Sequence, residues 1–168
     1  MTKSLSQSSL FDLGAARCHA FVMNESSAFS DETIEAIALG MVECRLPKER
    51  WTHGAHWAAA LWLLRYRPEI AEPQAMGAAI RAYNESVGGV NDDTSGYHET
   101  ITIASLRAAR AELARHGSDT ALSQILAALL AGDLGKSDWP MAYWRRETLF
   151  SVAARRGWVA PDLGELPF

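Results

Sequence analysis

Trp51-Thr52-His53-Gly54-Ala55-His56-Trp57-Ala58-Ala59-Ala60-Leu61-Trp62-Leu63-Leu64-Arg65-Tyr66 is the stretch whose reading decides the fold. It predicts a helix from about Thr52 to Tyr66, closed by Pro68, because proline cannot continue a helical ladder. His53, His56, Trp57, Ala60, Leu63 and Leu64 fall on one face at helical spacing, which points that face toward the interior of a bundle. The longest apolar run, Trp57 to Leu64, is far short of the roughly 20 residues a bilayer crossing requires. The segment therefore reads as a core helix, and no membrane association is expected.

The same kind of pattern extends outward in both directions. Upstream, Ser30 is placed to cap a helix opened by Asp31 and Glu32, with Ile34, Ile37, Ala38 and Met41 facing inward and Pro47 beyond its end. Residues 1 to about 28 show no sustained period. They read as a loosely ordered arm, docked through Leu10, Phe11, Leu13, Phe21 and Val22, ahead of a single helical domain over 29–168. Downstream, a third helix is expected from Pro73 to Glu85, then a glycine-rich polar loop, Gly88 to Gly96. A fourth helix follows from Tyr97 to Arg115, and a fifth from Asp119 to Ala131 with Ser118 as cap and Gly132 as stop. Pro140, Gly157, Pro161, Gly164 and Pro167 break the remainder, which reads as short helices near 140–147 and 152–156 and an extended tail. The expected fold is all-α, an antiparallel bundle of four to five principal helices with a short-helix C-terminal tail.

Bulk properties narrow the function classes. The chain has 168 residues, 48% of them hydrophobic, which is globular composition and enough for one real core. A net charge of −4 supplies no concentrated basic surface, so nucleic acid is not an expected partner. Two cysteines, Cys18 and Cys44, show no metal-knuckle spacing and no disulfide framework, which points to a reducing, cytoplasmic setting.

Two short motifs carry the candidate chemistry. His53 and His56 stand at i and i+3, so their Cβ atoms lie about 5–6 Å apart on one helix face, close enough for two imidazoles to meet one ion. His98, in Tyr97-His98-Glu99-Thr100 at the start of the fourth helix, can supply a third nitrogen. Three protein ligands and a position open to water are the pattern of a catalytic zinc site. Zinc is the first metal expected, and iron, manganese and nickel also suit these ligand types. Glu99 and Tyr97 are the candidate catalytic groups beside such an ion. Trp51, Tyr83, Asn84, Arg145 and Arg155 are candidate substrate contacts: aromatic walls, an amide, and guanidinium forks for an anionic group. Plainer readings stand beside each of these. Tyr83 suits a core position, Asn84 a helix C-cap, and surface arginines are usually solvated. The histidines can also form a metal-free cluster or a packed core, although burying an unpartnered imidazole costs about 1–3 kcal/mol.

The ordered set of Trp51 to His56, Tyr83-Asn84, Gly96-Tyr97-His98-Glu99-Thr100-Ile101-Thr102, Leu149-Phe150-Ser151, Ala154-Arg155 and Pro161-Asp162-Leu163 resembles a family of small, uncharacterised bacterial helical proteins. The resemblance runs from about Leu46 onward. It implies that His53, His56, His98 and Glu99 belong together, and it attaches no reaction. One departure is Val152, where the family pattern has proline.

The leading expectation is a metal-dependent enzyme acting on a small molecule, with hydrolysis by a metal-bound water as the default. Oxidative chemistry at iron is its nearest relative. The rival from another class is a non-enzymatic sensor or adaptor that binds a metal or small ligand. A helical homodimer with structural histidines is the plainest alternative.

Overall fold

The structure, a computed structural model, describes residues 29–168; the expected N-terminal arm, with its apolar anchors and Cys18, lies outside the described residues. Seven α-helices form among them: α1 (Asp31–Val42), α2 (His53–Tyr66), α3 (Pro73–Ser86), α4 (Glu99–Ala114), α5 (Leu122–Ala131), α6 (Arg146–Leu149) and α7 (Val152–Arg156). Three single 3-10 turns, at Lys48–Arg50, Asp133–Gly135 and Trp139–Ala142, join them, and no strand is present in this range. The fold is all-α, a helical bundle.

Helix α2 sits at its centre. Every residue from Ala58 to Leu63 is buried, so the burial runs around the whole helix and not along one stripe. A helix apolar on all sides has no face to offer water and must be surrounded. Accordingly α2 packs most extensively on α1, then on α4 and α5, while α3 closes against α1 and α4. The single-face expectation for α2 is corrected by this. Ala58, Ala59 and Leu61 are as buried as Ala60 and Leu63, while His56, on the supposed core face, is exposed at the end of the helix.

Local capping explains most boundaries. Ser30 accepts from the Thr33 N–H (3.2 Å), Thr52 from Ala55 (3.3 Å) and Ser151 from Ala154 (3.1 Å), each satisfying a donor the helix itself leaves open. The fifth helix departs from expectation, starting at Leu122 in place of Asp119. Residues 117–120 form a turn, closed by Thr120 N–H on the Gly117 carbonyl, and Arg65 takes the Thr120 carbonyl at 2.7 Å. The cap that α5 uses comes from another helix: the Asp31 carboxylate accepts from the Ser123 N–H at 2.7 Å. Hydrogen bonding to Ser123 is also the main reason the Asp31 carboxyl lies below its ordinary range.

The tail after α7 is tied down by side chains. Thr100, fully buried at the start of α4, donates to the Gly157 carbonyl (2.7 Å) and accepts from the Val159 N–H (3.0 Å). The Trp144 indole donates to the Val159 carbonyl (3.1 Å), and Asp162 receives the Arg145 N–H and the Thr148 hydroxyl. Thr100→Val keeps the shape and removes both of its bonds. It is expected to lower unfolding free energy by about 1–3 kcal/mol in urea titrations, and an unchanged midpoint would show that these bonds do not hold the tail.

Candidate functional site

The glycine-rich loop is the part of the surface with the most organised polar chemistry. Asn91 is its hub, and all four of its hydrogen-bonding positions are used. Its Oδ1 accepts from Asn84 Nδ2 (2.9 Å) and the Tyr97 N–H (3.1 Å), while its Nδ2 donates to the Arg81 carbonyl and Glu85 (both 3.1 Å). Asp92 folds the tip by accepting from the Thr94 N–H, the Thr94 hydroxyl and the Ser95 N–H. Gly96 has φ +76°, and a Cβ there would stand 2.2 Å from the Val90 carbonyl, so only glycine fits.

Arg155, from α7, locks this loop to the bundle. Its guanidinium donates to the carbonyls of Thr94 (3.2 Å), Gly96 (3.2 Å) and Tyr97 (3.0 Å), and its Nε is buried without a partner among the described residues. The partners are neutral dipoles, and no carboxylate among the described residues pairs with its charge. Arg81, from α3, lies over the Tyr97 ring at 4.0 Å from the centroid, with the Glu99 carboxylate a loose 3.8 Å away. Together with Asn91, Asp92, Asp93, Thr94 and Arg156 these side chains line a cleft of about 550 Å³. Arg156 pairs closely with Asp93 (2.6 Å).

Tyr97 is buried beneath Arg81, and burial, reinforced by Glu99, pushes its phenol up to about 12. Glu99 and Thr102 are near enough to act on the hydroxyl, yet neither meets it with hydrogen-bond geometry. At neutral pH this tyrosine is a neutral donor and not a base.

The three histidines go to three different places. His53 is half-buried, its Nε2 3.0 Å from the Leu134 carbonyl and 3.1 Å from the Trp57 indole nitrogen, which also donates to Leu134. Whichever tautomer it holds, that nitrogen is committed. His56 donates from Nδ1 to the Thr52 carbonyl (2.6 Å) and leans on Trp51, ring centroids 4.1 Å apart. Desolvation under that packing lowers its pKa, with the Thr52 carbonyl opposing. His98 is buried and is itself the N-cap of α4. Its Nδ1 accepts from the Ile101 N–H (3.4 Å) and its Nε2–H donates to the Leu149 carbonyl (2.8 Å), because a carbonyl can only accept. No lone pair on His98 is left for an ion. Among the described residues no group of three or more His, Cys, Asp or Glu side chains is placed to hold a metal. These residues therefore do not fit the three-histidine zinc, iron, manganese or nickel centre expected from spacing, and no chemistry is derived through one.

The other expected contacts divide. Tyr97, Arg155 and the loop do meet at the cleft, with Glu99 just behind Arg81. Tyr83 is a core residue, wholly buried with Trp51 edge-on at 5.3 Å, and burial raises its phenol pKa. Asn84 is not the C-cap of α3, which runs on to Ser86; its amide builds the loop instead. Arg145 is exposed and pairs with Asp162 (3.7 Å), away from the cleft wall. Arg81, Asn91 and Thr94 were missed as site residues. The only sequence signal for them was the polar loop itself, since the Arg81–Tyr97 contact joins residues 16 positions apart on separate elements.

Comparison of the chain with family models, with curated proteins and with solved structures found no match.

Burial is the main cause holding the His98 imidazole below its ordinary value of 6.5, with the Arg155 charge adding to it and the Leu149 carbonyl opposing. The folded state thus resists a proton that the unfolded chain accepts. Stability from this source is complete above about pH 6.5 and declines as pH falls toward the depressed folded value. Unfolding free energy measured from pH 8 to about 5 is expected to fall less steeply in His98→Asn, which retains capping ability, than in the native chain. Both proteins share any His56 contribution, so parallel curves would contradict a buried neutral His98.

Proposed function

We propose that this is a small-molecule-binding protein whose cleft between Arg81, Tyr97 and the 91–94 loop takes a small anion bearing carboxylate or phosphate oxygens. The observation that carries the reading is the Arg155 charge, which lines the cleft and among the described residues is answered only by carbonyl dipoles. Asp93 is matched by Arg156, and Asp92 stays ionised against neutral loop donors, so the lining carries three guanidiniums against two carboxylates. Arg81 has, among the described residues, only a loose 3.8 Å ion contact with Glu99 and Arg155 has none, so these two guanidiniums are the cleft cations without a close carboxylate. Guanidinium forks suit planar or tetrahedral oxyanions, and exposed Arg81 and Arg156 are the groups able to reach one.

Recognition is favoured over turnover by the state of the nearby hydroxyls, of which that of Tyr97 is buried. Tyr97 holds its proton, with its phenol pushed up to about 12, and Thr94 already donates to Asp92. Neither is set up as a nucleophile or base. A ligand-binding sensor or adaptor therefore accounts for the site better than a hydrolase.

Thermal unfolding at fixed ionic strength, with inorganic phosphate and a panel of small di- and tricarboxylates, tests this directly. A ligand present at 100 times its Kd should stabilise by about 2.7 kcal/mol, a shift of roughly 5–10 °C for a domain of this size. Arg81→Ala, which removes an exposed side chain, should weaken that ligand about tenfold or more. Stabilisation by no member of the panel, or equal stabilisation of Arg81→Ala, would overturn the proposal.

A further inference from the structure

A second recess, of about 650 Å³, opens between the ends of α4 and α5, the two 3-10 turns at Asp133–Gly135 and Trp139–Ala142, and the tail. Its walls include Trp139, Tyr143 and Phe168, and these three rings form a closed triangle. The centroids are 6.2 Å apart for Trp139–Tyr143, 6.1 Å for Trp139–Phe168 and 6.5 Å for Tyr143–Phe168, with interplanar angles of 66°, 63° and 70°. Trp139 is buried at the base, while Tyr143 and Phe168 are half-buried and keep surface toward the recess.

The three rings surround one point from three directions at steep mutual angles, and the negative face of an aromatic ring attracts a cation. A point about 3 Å above the plane of the three centroids lies about 4.7 Å from each of them, within the ~6 Å reach of a cation–π contact. The charges around the rim are arranged to match. Lys136 is held by Asp133 (2.7 Å) and Arg115 by Glu112 (2.9 Å), so the two cations of the wall are neutralised locally. The exposed Asp138 carboxylate, next in sequence to Trp139, has no close ion pair among the described residues, Lys136 acting on it only at longer range, so the charged side chains of the wall sum to one negative charge.

We propose that this recess binds an organic cation with a quaternary or methylated ammonium head, seated on the Trp139–Tyr143–Phe168 triangle with Asp138 at its rim. The site is separate from the Arg81 cleft and does not depend on it. Methyl groups on nitrogen spread the charge and bring apolar contact, which suits ring faces better than the strongly hydrated ammonium of an unmodified amine.

Choline and its neutral isostere 3,3-dimethyl-1-butanol, titrated into the full chain by NMR or calorimetry, separate charge recognition from apolar burial. Choline is expected to bind at least tenfold more tightly than the alcohol. Tyr143→Leu and Phe168→Leu, which keep apolar volume but remove a ring, should each weaken choline about fivefold. Tyr143→Phe should retain it, and circular dichroism checks that each variant is folded. Equal affinity for choline and the alcohol, no saturable choline binding, or undiminished binding in folded Tyr143→Leu would each overturn the proposal.

Discussion

The burial of α2 on all sides is the constraint on which the rest of the structure depends. Ala58 to Leu63 leave no polar edge, so α1, α4 and α5 must gather around them, and small alanines let those helices approach closely. Fully burying a side chain such as Leu61 or Leu63 contributes about 1.5–3 kcal/mol each. Once α2 occupies the centre, its first turn is left at one end of the bundle, where His53 meets Leu134 and His56 leans on Trp51 in contact with water. The arrangement that makes α2 central is thus the same one that disperses the histidines.

A second layer of order comes from side chains acting as backbone partners over long sequence distances. Arg155 supplies three bonds to the loop, Thr100 two to the tail, His98 one to Leu149, and Asp31 caps a helix that begins 91 positions later. Each takes up a carbonyl or N–H that the short helices and loops cannot satisfy among themselves. This is what permits the 88–96 loop and the tail to be ordered with so little regular structure. It also leaves Arg155, among the described residues, charged against dipoles, in a cleft whose lining carries three guanidiniums and two carboxylates.

Helix type and order were legible in the sequence because they rest on local signals. Ser30, Thr52 and Ser151 cap the helices that periodicity predicts, and Pro73 opens α3. The start of α5 was not legible, since its cap is Asp31 on another helix. The candidate site was half legible. Tyr97 and Arg155 were expected beside a histidine-held metal, whereas they meet the glycine-rich loop at a cleft lined by none of the three histidines, each of which has a ring nitrogen on a separate backbone carbonyl. Spacing shows which side chains share a face; it does not show which backbone carbonyl arrives from elsewhere to engage them. Arg81 escaped notice for the same reason, because its partner Tyr97 belongs to a different element.

The central claim, that the Arg81 cleft receives a small anion, is tested most directly by mapping amide shifts while titrating the best-stabilising carboxylate or phosphate at constant ionic strength. The account predicts saturable perturbations concentrated at residues 81, 91–97 and 155–156, with the loop amides among the largest. Perturbations that fail to saturate, or that gather on another face of the bundle, would contradict it.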